Sequence, residues 1–246
     1  MPKDGMKICA VIPAAGQGSR LGTTTPKILT RLSADHTVWS ILQAKLAPLV
    51  DHTHLVLSPD GAKLFPPLPP DTSFSIQQNP TGMGDAIFGA RAAWAEFDAI
   101  LIVWGDQVFV SGDTLRRSVA GLTVERQLVL PVTRMATPYV EYVFDGPKLI
   151  KVLQTREGDQ TKANGYSDVG TFLLSTPGLA ECWDSYLAQA ARGGTTREIN
   201  FLPFLPFLSA AGWTVTALEV SDPTEARGIN TPEDLVFFQS LYKSTP

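Results

Sequence analysis

The chain has 246 residues, 44% of them hydrophobic and 18% charged, with 20 Lys and Arg against 24 Asp and Glu for a net charge of −4. That balance argues against a nucleic-acid surface, which needs clustered Lys and Arg, so any phosphate must be gripped locally. The length suffices for a sizeable core in one large domain, with or without a small lobe.

At the N-terminus, MPKDGMKICAVIPAAG sets Asp4 before an apolar run too short for a secretory or membrane-spanning segment, so a cytoplasmic protein with no membrane partner is expected. KICAVI reads as a strand buried on both faces, and HLVLS, AILIVW and QLVLPV read the same way. Between them, VWSILQAKLAPL and GMGDAIFGARAAWAEF carry apolar residues at helical spacing. This alternation predicts an α/β fold whose mainly parallel sheet is covered by helices. In DHTH, His52 and His54 alternate like metal ligands, but no third ligand follows, so an exposed turn without zinc is expected. From Tyr139, YVEYVFDGPKLIKVLQ predicts two strands joined through Asp145-Gly146, and SDVGTFLLS a third. A helix over LAECWDSYLAQAAR follows, then a helical INFLPFLPFLSAAG interrupted by Pro203 and Pro206, whose apolar stripe reads as a packed lobe or a homodimer surface. After a strand over WTVTALEV, the last helix has Thr231 as N-cap, Pro232 in the first position and Asp234 in the third. Cys9 and Cys182 are expected as buried thiols rather than a disulfide.

The chemistry concentrates in AVIPAAGQGSRLGTTTPK, residues 10–27. A glycine-rich turn directly after a buried strand offers unobstructed backbone N–H groups to anionic oxygens. The Walker phosphate loop needs Gly-Lys-Ser/Thr, whereas Lys27 follows Pro26. The dinucleotide fingerprint needs its third glycine three positions after the second, whereas Gly16, Gly18 and Gly22 leave a longer gap. What remains is Arg20, Lys27 and the hydroxyls of Ser19 and Thr23 to Thr25. Two separated cations suit a polyphosphate: one holds a leaving pyrophosphate while the other neutralises the phosphoryl group under attack.

IPAAGQGSRLGTTTPK resembles the signature loop of the nucleotidyltransferases that make nucleoside-diphosphate sugars, roughly A-A-G-x-G-[ST]-R-[LM]-x(4)-P-K, with every position filled. IQQNPTGMGDAIFGA resembles the family's base-reading segment, VWGDQVF its metal segment and ARGINTPEDL its late Gly-Val-Asn segment, so the resemblance covers nearly the whole chain. In spacing the chain is similar to the uridylyltransferase domain of the bifunctional N-acetylglucosamine-1-phosphate enzymes. Its VIPAAGxGxR phrase is similar to the cytidylyltransferase of methylerythritol phosphate metabolism, which lacks a counterpart to GMGDA.

The resemblance implies a Rossmann-like three-layer sandwich of the nucleotide-diphospho-sugar transferase type, with a mixed, mainly parallel central sheet and a small acceptor-binding β lobe. It implies one nucleotidyltransferase domain over 1–246, with a nucleotide-binding half at about 6–135 and an acceptor-binding half at about 136–246. The implied reaction couples a nucleoside triphosphate, UTP, CTP or dTTP, to a sugar 1-phosphate or similar phosphorylated acceptor by in-line attack on the α-phosphate, with Mg²⁺ as cofactor and pyrophosphate as product. By the same resemblance Arg20 handles the pyrophosphate and Lys27 the α-phosphate or incoming phosphate. Ala14, Ala15, Gly16, Gly18 and Ser19 line the nucleotide, Gln77 and Gly82 read the base, and Asp106 and Asn230 are hard oxygen ligands for magnesium. Gln78 competes with Gln77, since neighbours in a strand face opposite sides, and spacing from Gly82 favours Gln77. On local structure alone, Asp106 could cap a turn and Asn230 shape a helix entry.

Where the N-acetylglucosamine enzymes have glycine, glutamate and asparagine around the sugar, this chain has Val140, Gln154 and Asp168, and Met83 replaces a threonine. These acceptor-binding positions imply an acceptor other than N-acetylglucosamine 1-phosphate. Arg156 and Glu157 either line that pocket or pair on the surface, and Lys162, Asn164 and Glu198 are weaker candidates. No hexapeptide period of the kind that builds the relatives' β-helix occurs before Pro246, so nucleotidyl transfer without acetyl transfer is expected. Three alternatives remain. One is a cytidylyltransferase for a non-sugar phosphate or phosphonate. Another is a glycosyltransferase, although Asp106 is followed by Gln107 and Val108 rather than completing Asp-x-Asp. The third is a non-catalytic nucleotide-sensing module, although such modules lose the loop cations.

Overall fold

Runs of aliphatic residues buried on both faces build the sheet, and loops at one end of it carry the site. The computed structural model describes residues 5–16 and 25–243. Four parallel strands, β1 (Ile8–Ala14), β2 (His52–Leu57), β3 (Thr72–Ile76) and β4 (Ala99–Val103), stand in the order β3-β2-β1-β4. β5 (Gln127–Met135) is followed by the hairpin of β6 (Val140–Asp145) and β7 (Lys148–Gln154), which turns at Gly146 as its Asp-Gly pair predicts. β8 (Gly165–Asp168) joins that hairpin to the end of β5, and β9 (Thr171–Ser175) runs antiparallel between β4 and β5. β10 (Thr214–Glu219) lies parallel to β5 on its other side. The sheet is thus mixed and mainly parallel in its centre, with a small antiparallel lobe, as expected.

Two apolar cores lie on its faces. Ile8, Ala10 and Ile12 point to one, shared with α1 (Val38–Leu46), α5 (Gly112–Gly121) and α8 (Pro232–Lys243). Cys9 and Val11 point to the other, shared with α3 (Met83–Gly89), α4 (Arg91–Trp94), α6 (Leu179–Leu187) and α7 (Phe204–Ala210). The remaining helix, α2 (Pro59–Leu64), follows β2. The FLPFLPFL stripe is a packed lobe: Phe201, Leu202, Phe204, Leu205 and Leu208 are buried, with Pro206 in the first turn of α7, where helical N–H groups have no intrahelical partner. α8 begins as predicted, with the Asp234 N–H donating to Thr231 Oγ1 at 3.2 Å and the Thr231 N–H to Asp234 Oδ2 at 3.0 Å. Cys9 and Cys182 are buried free thiols, and burial pushes Cys9 up to about 12 against a backbone hydrogen bond at His54. No helix among the described residues is long and apolar enough to cross a membrane.

Three expectations change. SDVGTFLLS is two strands, broken at Val169-Gly170, where Gly170 takes a φ of +74°. GMGDAIFGARAAWAEF is two helices, because Ala90 (φ −88°, ψ 11°) leaves the helical region. The exposed turn at His52 and His54 is instead the start of β2. His54 is 4% exposed and bonds Ser73 Oγ through Nδ1 at 2.8 Å and Ser75 Oγ through Nε2 at 3.0 Å, while His52 Nε2 meets Ser73 Oγ at 2.7 Å.

Burial, aided by repulsion from His52, holds the His54 imidazole down at about 4, against 6.5 for a free side chain. The folded state therefore favours the neutral ring. The stability this contributes is complete above pH 6.5 and is lost as the pH falls through about 4, because the unfolded chain takes up the proton first. Urea denaturation across that window should show wild type losing more stability than His54→Gln; parallel curves would show that His54 does not titrate on unfolding.

Candidate functional site

The C-terminal ends of the parallel strands open onto a cleft of about 540 Å³, where ligands of open α/β sheets bind. Ala14, Ala15 and Gly16 enter it from the end of β1, Gln77 from just past β3, Asp106 from the loop after β4, and Gln154 and Asp168 from β7 and β8. Lys27, Gly82, Met83, Val140 and Asn230 also line it. Lys27, Ala14, Ala15, Gly16, Gln77, Gly82, Asp106, Val140, Gln154, Asp168 and Asn230 therefore meet in one place. Gly18, Ser19 and Arg20 lie outside the described residues.

At the centre, the Lys27 ammonium donates to Asn230 Oδ1 at 2.8 Å and pairs with Asp106 Oδ2 at 3.2 Å. Lys27 opens a 3-10 turn anchored by buried Ile28. Asp106 and Asn230, far apart in sequence, are joined by their backbones: the Ile229 N–H donates to the Asp106 carbonyl at 3.1 Å. The flanking segments are tied as well. Glu225, 8% exposed, accepts the Ser111 N–H at 2.8 Å, and Lys45 donates to the carbonyls of Val108 at 2.6 Å and Val110 at 2.8 Å. Burial lowers the Lys45 pKa, and the charge of Glu225 counteracts part of that shift. Among the described residues no cluster of three or more His, Cys, Asp or Glu forms a metal site. Asp106 and Asn230 are nevertheless two hard oxygen donors that converge on one cationic atom, a donor set that fits magnesium completed by phosphate and water oxygens.

At the β3 end, Gln77 lines the cleft, whereas Gln78 lines only a neighbouring cavity of about 330 Å³. The glycines of GMG answer to packing. Gly82 has a φ of +128°, and a Cβ there would lie 2.6 Å from the Ile199 carbonyl; a Cβ on Gly84 would lie 2.4 Å from the Trp183 ring. Two residues that the motif reading missed complete this end. The Asp85 carboxylate accepts from Gln77 Nε2 at 2.9 Å and from the Thr81 hydroxyl. An acid at position 85 carries no periodic or spacing signal.

At the other end, Asp168 is buried, with Oδ2 accepting from the Tyr142 hydroxyl at 2.9 Å and Oδ1 from the Gly170 N–H at 2.7 Å. Burial raises its pKa, and those two hydrogen bonds oppose the rise. Gln154 is 4% exposed, its N–H held by Asp159. Arg156 and Glu198 line the cleft as a close ion pair. Glu157 turns aside to bind Thr195, Thr196 and Asn200. Burial would raise its pKa, but the hydrogen bonds from Thr196, Thr195 and Asn200 pull it down to about 2. Lys162 and Asn164 are not among the cleft residues, whereas Gln107, Tyr139 and Ser167, which motif spacing did not flag, are.

The MobA-like NTP transferase domain matches residues 10–168. The bifunctional protein GlmU of Aquifex aeolicus is 24% identical over 249 residues, covering 95% of this chain and 53% of its own length. GlmU of Acidithiobacillus ferrooxidans is 26% identical over 239 residues, covering 95% and 51%. This chain spans about half the length of the curated relatives it matches. Among solved structures, the 4-diphosphocytidyl-2C-methyl-D-erythritol synthase of Anaerococcus prevotii superposes over 98% of this chain and 100% of its own, with a TM-score of 0.66 at 14% identity, which is a likeness of fold.

Removing the carboxylate that ties the two central segments leaves the Ser111 N–H without its acceptor. Glu225→Ala should therefore cost about 2 kcal/mol of unfolding free energy, the scale of a lost hydrogen bond to a charged group. Chemical denaturation at neutral pH measures it, and an unchanged midpoint would show that the tie is dispensable.

Proposed function

Because this chain belongs to the MobA-like NTP transferase domain family and is a nucleotidyltransferase, we propose that it joins UTP or CTP to a sugar 1-phosphate or a similar small phosphorylated acceptor. The observation that carries this reading is the order of groups along one cleft. Gln77 and Gly82 enter beside β3, Lys27 with Asp106 and Asn230 beside β1 and β4, and Gln154 and Asp168 from the lobe on the far side of the sheet. A base, a phosphate chain and an acceptor can be laid along that line in the sequence their covalent bonds demand.

In the proposed reaction an acceptor phosphate oxygen attacks the α-phosphorus in line. The bond to the bridging oxygen of the β-phosphate breaks, and pyrophosphate leaves with its electron pair. There is little covalent work for the protein, so its residues act by position and charge. Gln77 and the Gly82 backbone hold the pairing edge of the base, and the backbone of Ala14 to Gly16 approaches the phosphates. Lys27 neutralises charge on the α-phosphate or the entering phosphate, and Arg20 takes the leaving pyrophosphate. Gln154 and Asp168 orient acceptor hydroxyls, with the Asp168 carboxyl held in place by the Tyr142 hydroxyl and the Gly170 N–H. Asp106 and Asn230 would hold Mg²⁺, whose contribution is Lewis-acid neutralisation of phosphate charge. With Val140, Gln154 and Asp168 at the acceptor end, N-acetylglucosamine 1-phosphate is a poor acceptor beside the true one.

Incubation with each triphosphate, Mg²⁺ and a panel of sugar phosphates, amino-sugar phosphates, alditol phosphates and phosphonates should release pyrophosphate only when a particular acceptor is present. Release with no acceptor, or none with any pair, would overturn the reading. Lys27→Ala should lower kcat about 10²-fold, the scale of one preorganised charge at such a centre, in an otherwise folded protein; near-normal turnover would remove Lys27 from the chemistry. Asp106→Asn keeps the shape but not the charge, so turnover should collapse and recover in part at high magnesium, and activity of the wild type should vanish on chelation. Turnover that survives chelation would exclude the metal role of Asp106 and Asn230.

A further inference from the structure

A carboxamide can present either its oxygen or its nitrogen to a ligand, and Gln77 has lost that choice. Its Nε2 stands among three acceptors: Asp85 Oδ2 at 2.9 Å, Thr81 Oγ1 at 3.2 Å and the Gly82 carbonyl at 3.3 Å. The Thr81 hydroxyl spends its proton on Asp85, so toward Gln77 it offers only lone pairs. Turning the amide over would set its carbonyl oxygen against a carboxylate, a backbone carbonyl and that hydroxyl oxygen, with no donor among them. Gln77 lies between the main cleft and the smaller cavity that Thr81 and Asp85 line, so the part of the amide left for the cleft is Oε1.

We propose that Asp85 is a specificity-determining positioning residue: it locks the Gln77 amide so that the base meets a hydrogen-bond acceptor and never a donor. This rests on the reading of the cleft as a triphosphate site and deepens it. The pairing edge of uracil presents O4, N3–H and O2, whereas that of cytosine presents an N4 amino group, a bare N3 and O2, so donor and acceptor exchange at positions 3 and 4. A free amide accommodates either base by turning over. A locked oxygen facing a given position finds a donor in one pyrimidine and a lone pair in the other, and the mismatched base is left with a desolvated, unpaired group. Selectivity between two bases of nearly the same shape thus comes from an acid that need not touch either of them.

The test is a ratio. Dissociation constants of UTP and CTP, measured by calorimetry with Mg²⁺ present and no acceptor, and kcat/KM for both with whichever acceptor of the panel supports pyrophosphate release, are compared in wild type, Asp85→Asn and Asp85→Ala. Wild type should prefer one pyrimidine by about tenfold or more. Asp85→Asn, which offers a donor as well as an acceptor, and Asp85→Ala, which offers neither, should bring the ratio close to one, chiefly by admitting the disfavoured base. The ratio does not depend on how much of a preparation is folded, so a poorly expressed variant still reports it, and a purely structural role for Asp85 would weaken both triphosphates equally. A wild type that binds both alike, or variants that keep its preference, would overturn the role of Asp85 while leaving the nucleotidyltransferase reading intact. A wild type that binds neither would overturn both.

Discussion

One backbone hydrogen bond, from the Ile229 amide to the Asp106 carbonyl, ties the loop that leaves the buried strand β4 to the segment that enters α8. Everything at the centre of the cleft follows from that tie. It sets an aspartate from mid-chain and an asparagine from near the C-terminus within reach of one ammonium group. The charged groups around it, Glu225 on the Ser111 amide and Lys45 on two carbonyls, sit where loop backbone would otherwise bury unpaired groups. Buried charge is a costly way to fasten loops, and it is directional, which apolar packing is not. A pair of side chains that must converge on one atom needs that direction.

The lobe meets the parallel sheet through a bend rather than a linker. β8 and β9 follow one another along β5, and the break at Val169-Gly170 lets β9 continue between β4 and β5 while β8 turns toward the hairpin. Asp168 stands directly before that break, which is why its carboxyl can accept the Gly170 N–H and still face the cleft. On the opposite wall, α3 is drawn against Ile199 and Trp183 by two glycines, and Phe88 stacks on Trp183 at 4.1 Å between ring centroids. The two walls are therefore anchored to the same apolar core, the one that also takes in α6 and α7.

Much of this was legible in the sequence because it is local. Buried strands announce themselves as short aliphatic runs, the hairpin by Asp145-Gly146, and the last helix by Thr231, Pro232 and Asp234. The split of SDVGTFLLS was not legible, since β-branched and aromatic residues continue across a bend that a single glycine makes. His54 looked like part of an exposed turn because the partners that satisfy it, Ser73 and Ser75, belong to another strand and have no sequence signature of pairing. For the same reason the motif spacing pointed to Asp106, Asn230 and Gln77, which line the cleft, but not to Glu225, Lys45 or Asp85. The former fill family positions, whereas the latter gain meaning only once distant segments touch.

Trp104 continues β4 into the cleft, with its indole wedged against Phe172 at 5.0 Å and Phe201 at 5.9 Å between centroids. The chain has five tryptophans, and the other four, Trp39, Trp94, Trp183 and Trp213, are sealed in the apolar interior. None of those four lines the cleft. The molecule thus carries a built-in optical gauge: Trp104 is the one indole that lines the cleft, so filling of the cleft can be followed by its ultraviolet fluorescence in unlabelled protein.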